Sequence, residues 1–202
     1  MSAAEHPNRA ERDASDARVM ELVRTGDEAA IAELYDRYAA IALGIALKIL
    51  RDANEAEDVV HDAFITLVER ADQFRPERGS LIAWLVTMVR NLALDRARRR
   101  VRRAQIEGDE LRHEPADRVA DPEQLARLGH EREAVRSALA RLSASQRATL
   151  EIAFFEGLSY PEIAPRENVA LGTVKSRAAR ALGALRAALD GSVDFDDDAL
   201  DE

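Results

Sequence analysis

LSASQRATLEIAFFEGLSYPEIAPRENVALGTVKSRAARALGALRAAL, Leu142 to Leu189, is the stretch that decides how this chain folds. Set at 100° per residue, a helix that starts near Leu171 places Val174, Ala178, Ala181, Leu182, Leu185 and Leu189 on one side. Thr173, Ser176 and Arg180 fall on the opposite side, with Lys175 and Arg177 on the flanks. Between Gly172 and Leu189 the charged residues are Lys175, Arg177, Arg180 and Arg186, with no acid among them. An apolar back and a front of short polar side chains and arginines suit a DNA major groove. Arginine bonds guanine edges, serine and threonine read edges or phosphates, and lysine pins the backbone.

The residues before that helix support the same reading. Ser159 stands as an N-cap with Glu162 three residues on, the spacing of a capping box. The short helix from Tyr160 is expected to end near Glu167, and Asn168 is suited to the left-handed conformation of a helix-ending turn. Two helices joined by a tight turn make a helix-turn-helix. Periodicity alone fits an ordinary amphipathic hairpin as well, and the basic, acid-free second helix shifts the balance toward DNA.

The strings FFEGLSYPEIA and LGTVKSR resemble region four of bacterial sigma-70 family sigma factors of the small extracytoplasmic-function (ECF) type. The resemblance implies that this unit reads the −35 promoter element through Leu171, Gly172, Thr173, Lys175, Ser176, Arg177 and Arg180. The chain departs from the family pattern at Pro165, Arg166, Glu167 and Asn168. Pro165 removes an amide donor late in the first helix, and Glu167 puts a charge where a packed leucine is usual.

The rest of the chain agrees with an all-α protein. Glycine and proline are few, strand-like alternation is absent, and Ala, Leu, Arg and Glu dominate the 202 residues. Cysteine is absent, which excludes disulfides and thiolate metal sites. No apolar run approaches the length of a membrane span, and the N-terminus lacks the apolar core of a signal peptide, so a cytoplasmic protein is expected. The net charge of −9 is unevenly spread. Residues 190–202 hold seven acids and no base, and residues 105–123 carry a net charge of −5, which leaves +3 for everything else. The acidity therefore sits in a linker and a tail, apart from the basic clusters.

Residues 1–15 are expected to be disordered, with a first helix from about Asp16 to Gly26. Asp27 or Thr25 is placed to cap the next one. From Glu28 to Leu50, Ile31, Leu34, Tyr35, Tyr38, Ile41, Ile45 and Ile49 recur at helical spacing and are expected in the core, the tyrosines half-buried. A further helix is expected from Asn54 to Phe74, capped by Asn54 with Glu57. Its apolar stripe is Val60, Ala63, Phe64, Leu67 and Ala71. Opposite lie Asp58, Asp62, Ile65 and Glu69. An acidic face is commonly just solvated, but an isoleucine among carboxylates is also what a protein partner anchors on. EDVVHDAFITLVERADQF resembles region two of the same family, which implies docking of this face on the β′ clamp of core RNA polymerase. His61 is expected at the surface, without a metal.

FRPERGS, Phe74 to Ser80, reads as a loop, followed by one long helix from Leu81 to Arg103. Leu81, Leu85, Met88, Val89 and Leu92 share a face, while Thr87, Asn91 and Arg98 line the other side and Trp84 packs on the flank. Arg96 to Arg103 holds six arginines in eight residues; without compensating acid, such a run calls for an anionic partner. The family resemblance implies recognition and melting of the −10 element by this helix and the loop before it. Arg75, Arg78, Asn91, Arg98, Arg99 and Arg102 are the residues this implies, Asn91 against an unstacked base and the arginines along the strand.

Five segments result: a disordered start (1–15), a region-two bundle (16–103), a flexible acidic linker (104–122), a region-four helix-turn-helix (123–189) and an acidic tail (190–202). The tail reads first as solubilising and second as a weak, salt-screened cover for the basic helix before it. No phosphate loop, metalloprotease motif or nucleophile elbow is present, and the four histidines are scattered, so neither an enzyme nor a cofactor is expected. The resemblance implies a promoter-recognition subunit. Its partners would be core RNA polymerase, through the β′ clamp and β flap, promoter DNA and an anti-sigma factor. The alternative is a LuxR-type helix-turn-helix regulator, which would carry a strand-containing receiver or ligand domain in the first half. A helical adaptor that binds protein alone is disfavoured by the arginine run.

Overall fold

The computed structural model describes residues 9–107 and 136–188. The acidic linker from 108 and the tail lie outside the described residues. Every regular element among the described residues is helical.

The first unit packs four helices: α1 (Arg9–Arg24), α2 (Glu28–Leu50), α3 (Ala53–Glu69) and α4 (Leu81–Glu107). Helix α1 begins at Arg9, which corrects the expectation of disorder through residue 15. The cause is tertiary. Asp16 is buried, accepting hydrogen bonds from the Tyr38 hydroxyl and from Arg37 Nη1 at 2.8 Å. Desolvation raises its pKa, and the bonds from Tyr38 and Arg37 offset part of that shift. This polar cluster holds α1 on α2 and so orders the residues on either side of Asp16.

The helix ends follow local chemistry. Gly26 (φ +80°) closes α1, with its N–H on Val23 O at 2.9 Å and the Asp27 N–H on Leu22 O at 3.2 Å. Asp27 then caps α2, accepting from the Ala30 N–H at 3.0 Å. The expected cap at Asn54 is corrected to Asp52, whose carboxylate accepts from the Glu55 N–H at 2.9 Å. Helix α3 stops at Glu69 instead of continuing to Phe74; short 3₁₀ turns follow at Ala71–Gln73 and Pro76–Arg78. Arg24 ties that exit to α1, donating to Ala71 O at 3.1 Å and Phe74 O at 3.0 Å.

The stripe that α2 buries also differs from expectation. Leu34, Tyr38, Ala42, Ala46 and Leu50 are inside, whereas Ile31, Ile41, Ile45 and Ile49 are partly buried at the margins and Tyr35 is exposed, resting on Phe64 with ring centroids 4.8 Å apart. Alanines at the centre let α3 and α4 approach α2 closely, and the branched residues fill the shoulders. From α3 the core takes Ala56, Val59, Val60, Ala63, Phe64 and Leu67, and from α4 Leu81, Leu85, Val89 and Ala93. Trp84 packs against Phe74, centroids 5.6 Å apart.

The second unit contains α5 (Ala144–Glu151), continued by a π turn at Ile152–Glu156, then α6 (Tyr160–Arg166) and α7 (Leu171–Ala188). Ser143 caps α5 in a capping box with Gln146. Its core is small: Ile152, Ala153, Tyr160, Ile163, Ala164, Val174 and Ala178, with Leu158 and Val169 at its edge.

Candidate nucleic-acid interface

The turn between α6 and α7 sets how the second of these helices is presented. Glu162 accepts from the Ser159 N–H at 2.8 Å and from its hydroxyl at 2.7 Å, which fixes the start of α6 and lowers the Glu162 pKa. At the other end Asn168 adopts φ +53°. Its N–H donates to Pro165 O at 3.3 Å, and the Val169 N–H donates to Ala164 O at 3.0 Å. These two bonds make a Schellman motif with asparagine where glycine is usual, and Val169 packs on the core as such a motif favours. Pro165 and Glu167 are accommodated. The proline withdraws the donor that Pro161 O would meet, but both prolines are exposed, so water can take its place, and the Glu167 N–H still reaches Ile163 O at 2.9 Å.

Helix α7 then presents two faces. Val174, Ala178 and Ala181 are buried, as periodicity predicts. Gly172, Lys175 and Arg180 are exposed, Thr173, Ser176 and Arg177 are partly exposed, and Leu171 stands out near the N-terminus with 39% of its surface accessible. Arg180 folds back along its own helix, donating to Ser176 O and Ser176 Oγ at 3.0 Å each. These seven residues form one continuous surface, polar and basic except at Leu171. Such a surface can insert into a groove and bond base edges and phosphates.

The first unit carries two further surfaces. On α3, Asp58, Asp62, Ile65 and Glu69 are all exposed along one side, Ile65 at 45%, and His61 is exposed beside them. Asp58 is already engaged, accepting from Arg96 Nη2 at 2.6 Å. On α4, Thr87, Asn91, Arg98, Arg99 and Arg102 are exposed, and Arg75 and Arg78 stand in the preceding loop. Arg75 is held by the carbonyls of Asp72 at 2.5 Å and Phe74 at 2.9 Å. The arginine run is partly neutralised from within, contrary to its reading as uncompensated. Arg96 pairs with Asp58, and Arg100 pairs with Glu55 at 3.1 Å while donating to Leu50 O at 3.1 Å. Helical geometry explains this split, because Arg96 and Arg100 lie one turn apart and both face α3. Arg99, Arg102 and Arg103 are on exposed positions of the same run.

Two residues that the sequence did not single out join the first unit to the second. Arg90 donates to Phe154 O at 2.7 Å and Ala153 O at 2.8 Å, and Lys48 lies 3.7 Å from the centre of the Phe155 ring. Nothing in their spacing marks them; each looks like an ordinary solvated cation at a helix margin. Among the described residues, no cluster of histidines and carboxylates is arranged to hold a metal, and no helix is long and apolar enough to cross a membrane.

Comparison with known proteins matches both units in order. Sigma-70 region 2 matches residues 34–103 and sigma-70 region 4 matches residues 132–185. The chain is 36% identical over 169 residues to the ECF RNA polymerase sigma factor SigK of Mycobacterium tuberculosis, covering 82% of this chain and 89% of SigK. It is 36% identical over 164 residues to the ECF RNA polymerase sigma factor RpoE of Cereibacter sphaeroides, covering 79% and 86%. Among solved structures it is similar to Rhodobacter sphaeroides SigE in complex with the anti-sigma ChrR, at 31% identity and a TM-score of 0.45, covering 85% of this chain and 96% of SigE. A region-two match across the first half, with no strand among its residues, removes the LuxR-type alternative, which requires a strand-containing domain there. With both regions matched in order and relatives above 30% identity along most of their length, the chain belongs to the ECF RNA polymerase sigma factors, which are transcription initiation factors and not enzymes.

Proposed function

We propose that this protein binds core RNA polymerase through the α3 face, reads the −35 element with α7 and engages the −10 element with α4 and the loop before it. The observation that carries this is the pairing of one acidic, isoleucine-centred face with two basic surfaces on separate helical units. Ile65 supplies the apolar anchor of the polymerase contact, with Asp62, Glu69 and Asp58 around it to steer a basic partner surface on the β′ clamp. Helix α7, with the β flap behind its unit, presents Thr173, Lys175, Ser176, Arg177 and Arg180 to the major groove, while Leu171 and Gly172 let its N-terminal end approach the backbone. On α4, Asn91 receives a flipped base and Arg98, Arg99 and Arg102 follow the separated strand, with Arg75 and Arg78 at the upstream edge.

The segments proposed from sequence are adjusted in two places: α1 from Arg9 joins the first unit, and residues 104–107 join α4, which runs to Glu107. Activity belongs in the cytoplasm, where the polymerase acts. The uncovered α3 and α7 faces are the ones an anti-sigma factor would occupy to keep the protein idle.

Purified full-length chain and core polymerase test the reading. Stable co-elution, together with transcription that starts at a restricted set of genomic promoters, is the expected result. Specific duplex binding with no association to core polymerase would overturn it.

A further inference from the structure

The C-terminal end of a helix leaves carbonyls without intrahelical partners. In the second unit those of the π turn Ile152–Glu156 are met by the first unit. Arg90 of α4 donates through Nε to Phe154 O at 2.7 Å and through Nη2 to Ala153 O at 2.8 Å, with its guanidinium 5.4 Å from the Phe154 ring centre. Lys48 of α2 lies 3.7 Å from the centre of the Phe155 ring and 3.8 Å from Glu151 Oε1. Arg98 Nη2 reaches Gly157 O at 3.3 Å. Gly157 (φ +67°) comes so near α4 that a Cβ there would stand 2.7 Å from Leu94 Cδ1, and Leu94 is buried beneath it. Burial lowers the Arg90 pKa, with the charge of Arg98 adding to the effect, so the guanidinium is drawn out of water and held by these carbonyls.

This contact occupies the side of α4 that carries two of the residues assigned above to the −10 strand. Arg98 is bonded to Gly157 O, and Asn91 Oδ1 accepts from Arg90 Nη1 at 3.3 Å. A strand threading from Asn91 to Arg98 passes over Arg90 and Leu94, which the π turn and Gly157 cover. We propose that the π turn is an intramolecular latch: it seats the second helical unit on Arg90, Leu94 and Arg98 of α4, beside Asn91, so that the isolated chain is closed to single-stranded DNA until the two units separate. The masking of DNA rests on the functional reading above; the latch itself rests on the contacts alone. A latch made of a few charged bonds and one glycine contact opens readily, as small, polar contacts between domains do, and salt weakens it further.

The chain contains no cysteine, so a spin-label pair can be placed cleanly at Asp36 and Ala144, both exposed and both outside every surface assigned here. Pulsed distance measurement on the full-length chain is expected to give one narrow distribution, which Arg90→Ala and Lys48→Ala each move to longer and broader distances. Far-UV circular dichroism confirms that the helices of both variants persist. Affinity for a mixed-sequence single-stranded oligonucleotide at low salt should rise roughly tenfold in Arg90→Ala, the effect of losing one to two charge-assisted bonds at a half-exposed site. Both substitutions remove a positive charge, so a gain in DNA affinity cannot arise from charge alone. Unchanged narrow distributions in both variants, or a broad distribution already in the parent, would overturn the latch. Opening without tighter oligonucleotide binding would overturn the masking. Failure of the parent chain to bind core polymerase would strike the functional reading while leaving the distance result intact.

Discussion

Asn168 offers the sharpest test of how local chemistry sets the DNA-reading helix. It sits at φ +53° between α6 and α7, and the two bonds that end α6, from its own N–H to Pro165 O at 3.3 Å and from the Val169 N–H to Ala164 O at 3.0 Å, exist only in that conformation. Asparagine tolerates the left-handed region; a β-branched residue does not, and pays about 1–2 kcal/mol to occupy it. Asn168→Val is therefore expected to destabilise the second unit by about 1–2 kcal/mol. For a unit this small that lowers its midpoint by roughly 4–15 °C. Asn168→Gly occupies the same conformation without strain, and its greater freedom when unfolded offsets the gain, so its stability should stay within about 0.5–1 kcal/mol of the parent. Thermal unfolding of the full-length variants followed by circular dichroism, with duplex binding measured below the transition, separates the two substitutions. In the valine variant, relief of the strain by a shift of α7 should weaken duplex binding, whereas the glycine variant should bind as the parent does. A valine variant as stable as the glycine one, and equal to it in duplex binding, would refute the argument that the left-handed turn positions the helix.

Ile65→Arg should abolish association with core polymerase while the helical circular dichroism is retained, because Ile65 is 45% exposed and lies away from the core; undiminished binding would remove α3 from the docking surface. Ile163→Ala does the reverse. This side chain is fully buried, its loss is expected to cost about 2–5 kcal/mol, and the second unit should melt at low denaturant while the first keeps its transition. Glu162→Gln probes the start of α6. Bonds from the Ser159 hydroxyl and backbone hold the Glu162 carboxyl below its ordinary range, so its stabilisation is complete above that range and disappears as the pH falls through the depressed value. The glutamine variant should show a shallower loss of stability over that acid window; equal slopes in urea titrations at several pH values would dismiss the contribution.

Periodicity, caps and charge settled most of the local structure from sequence. Asn168 and Ser159 marked the ends of a seven-residue helix, and the apolar side of α7 was legible because a helix packed on one side must repeat its apolar residues every three to four positions. The exposed acidic face around Ile65 was readable for the same reason. What the chain pattern could not show was which of several similar stripes would be central. In α2 the isoleucines and the alanines both recur at helical spacing, and only the close approach of α3 and α4 decided that Ala42 and Ala46 lie inside while Ile41 and Ile45 stand at the margin. Nor could it show ion pairing across helices. Asp58 and Arg96 are 38 positions apart, Arg90 and Phe154 are 64 apart, and neither pairing was legible until packing brought the partners within reach. Helix periodicity is a property of a few consecutive residues, and sequence carries it. The partner of a single charged side chain is a property of how whole helices dock, which arises from the summed burial of many apolar side chains and leaves no mark at the charged position itself.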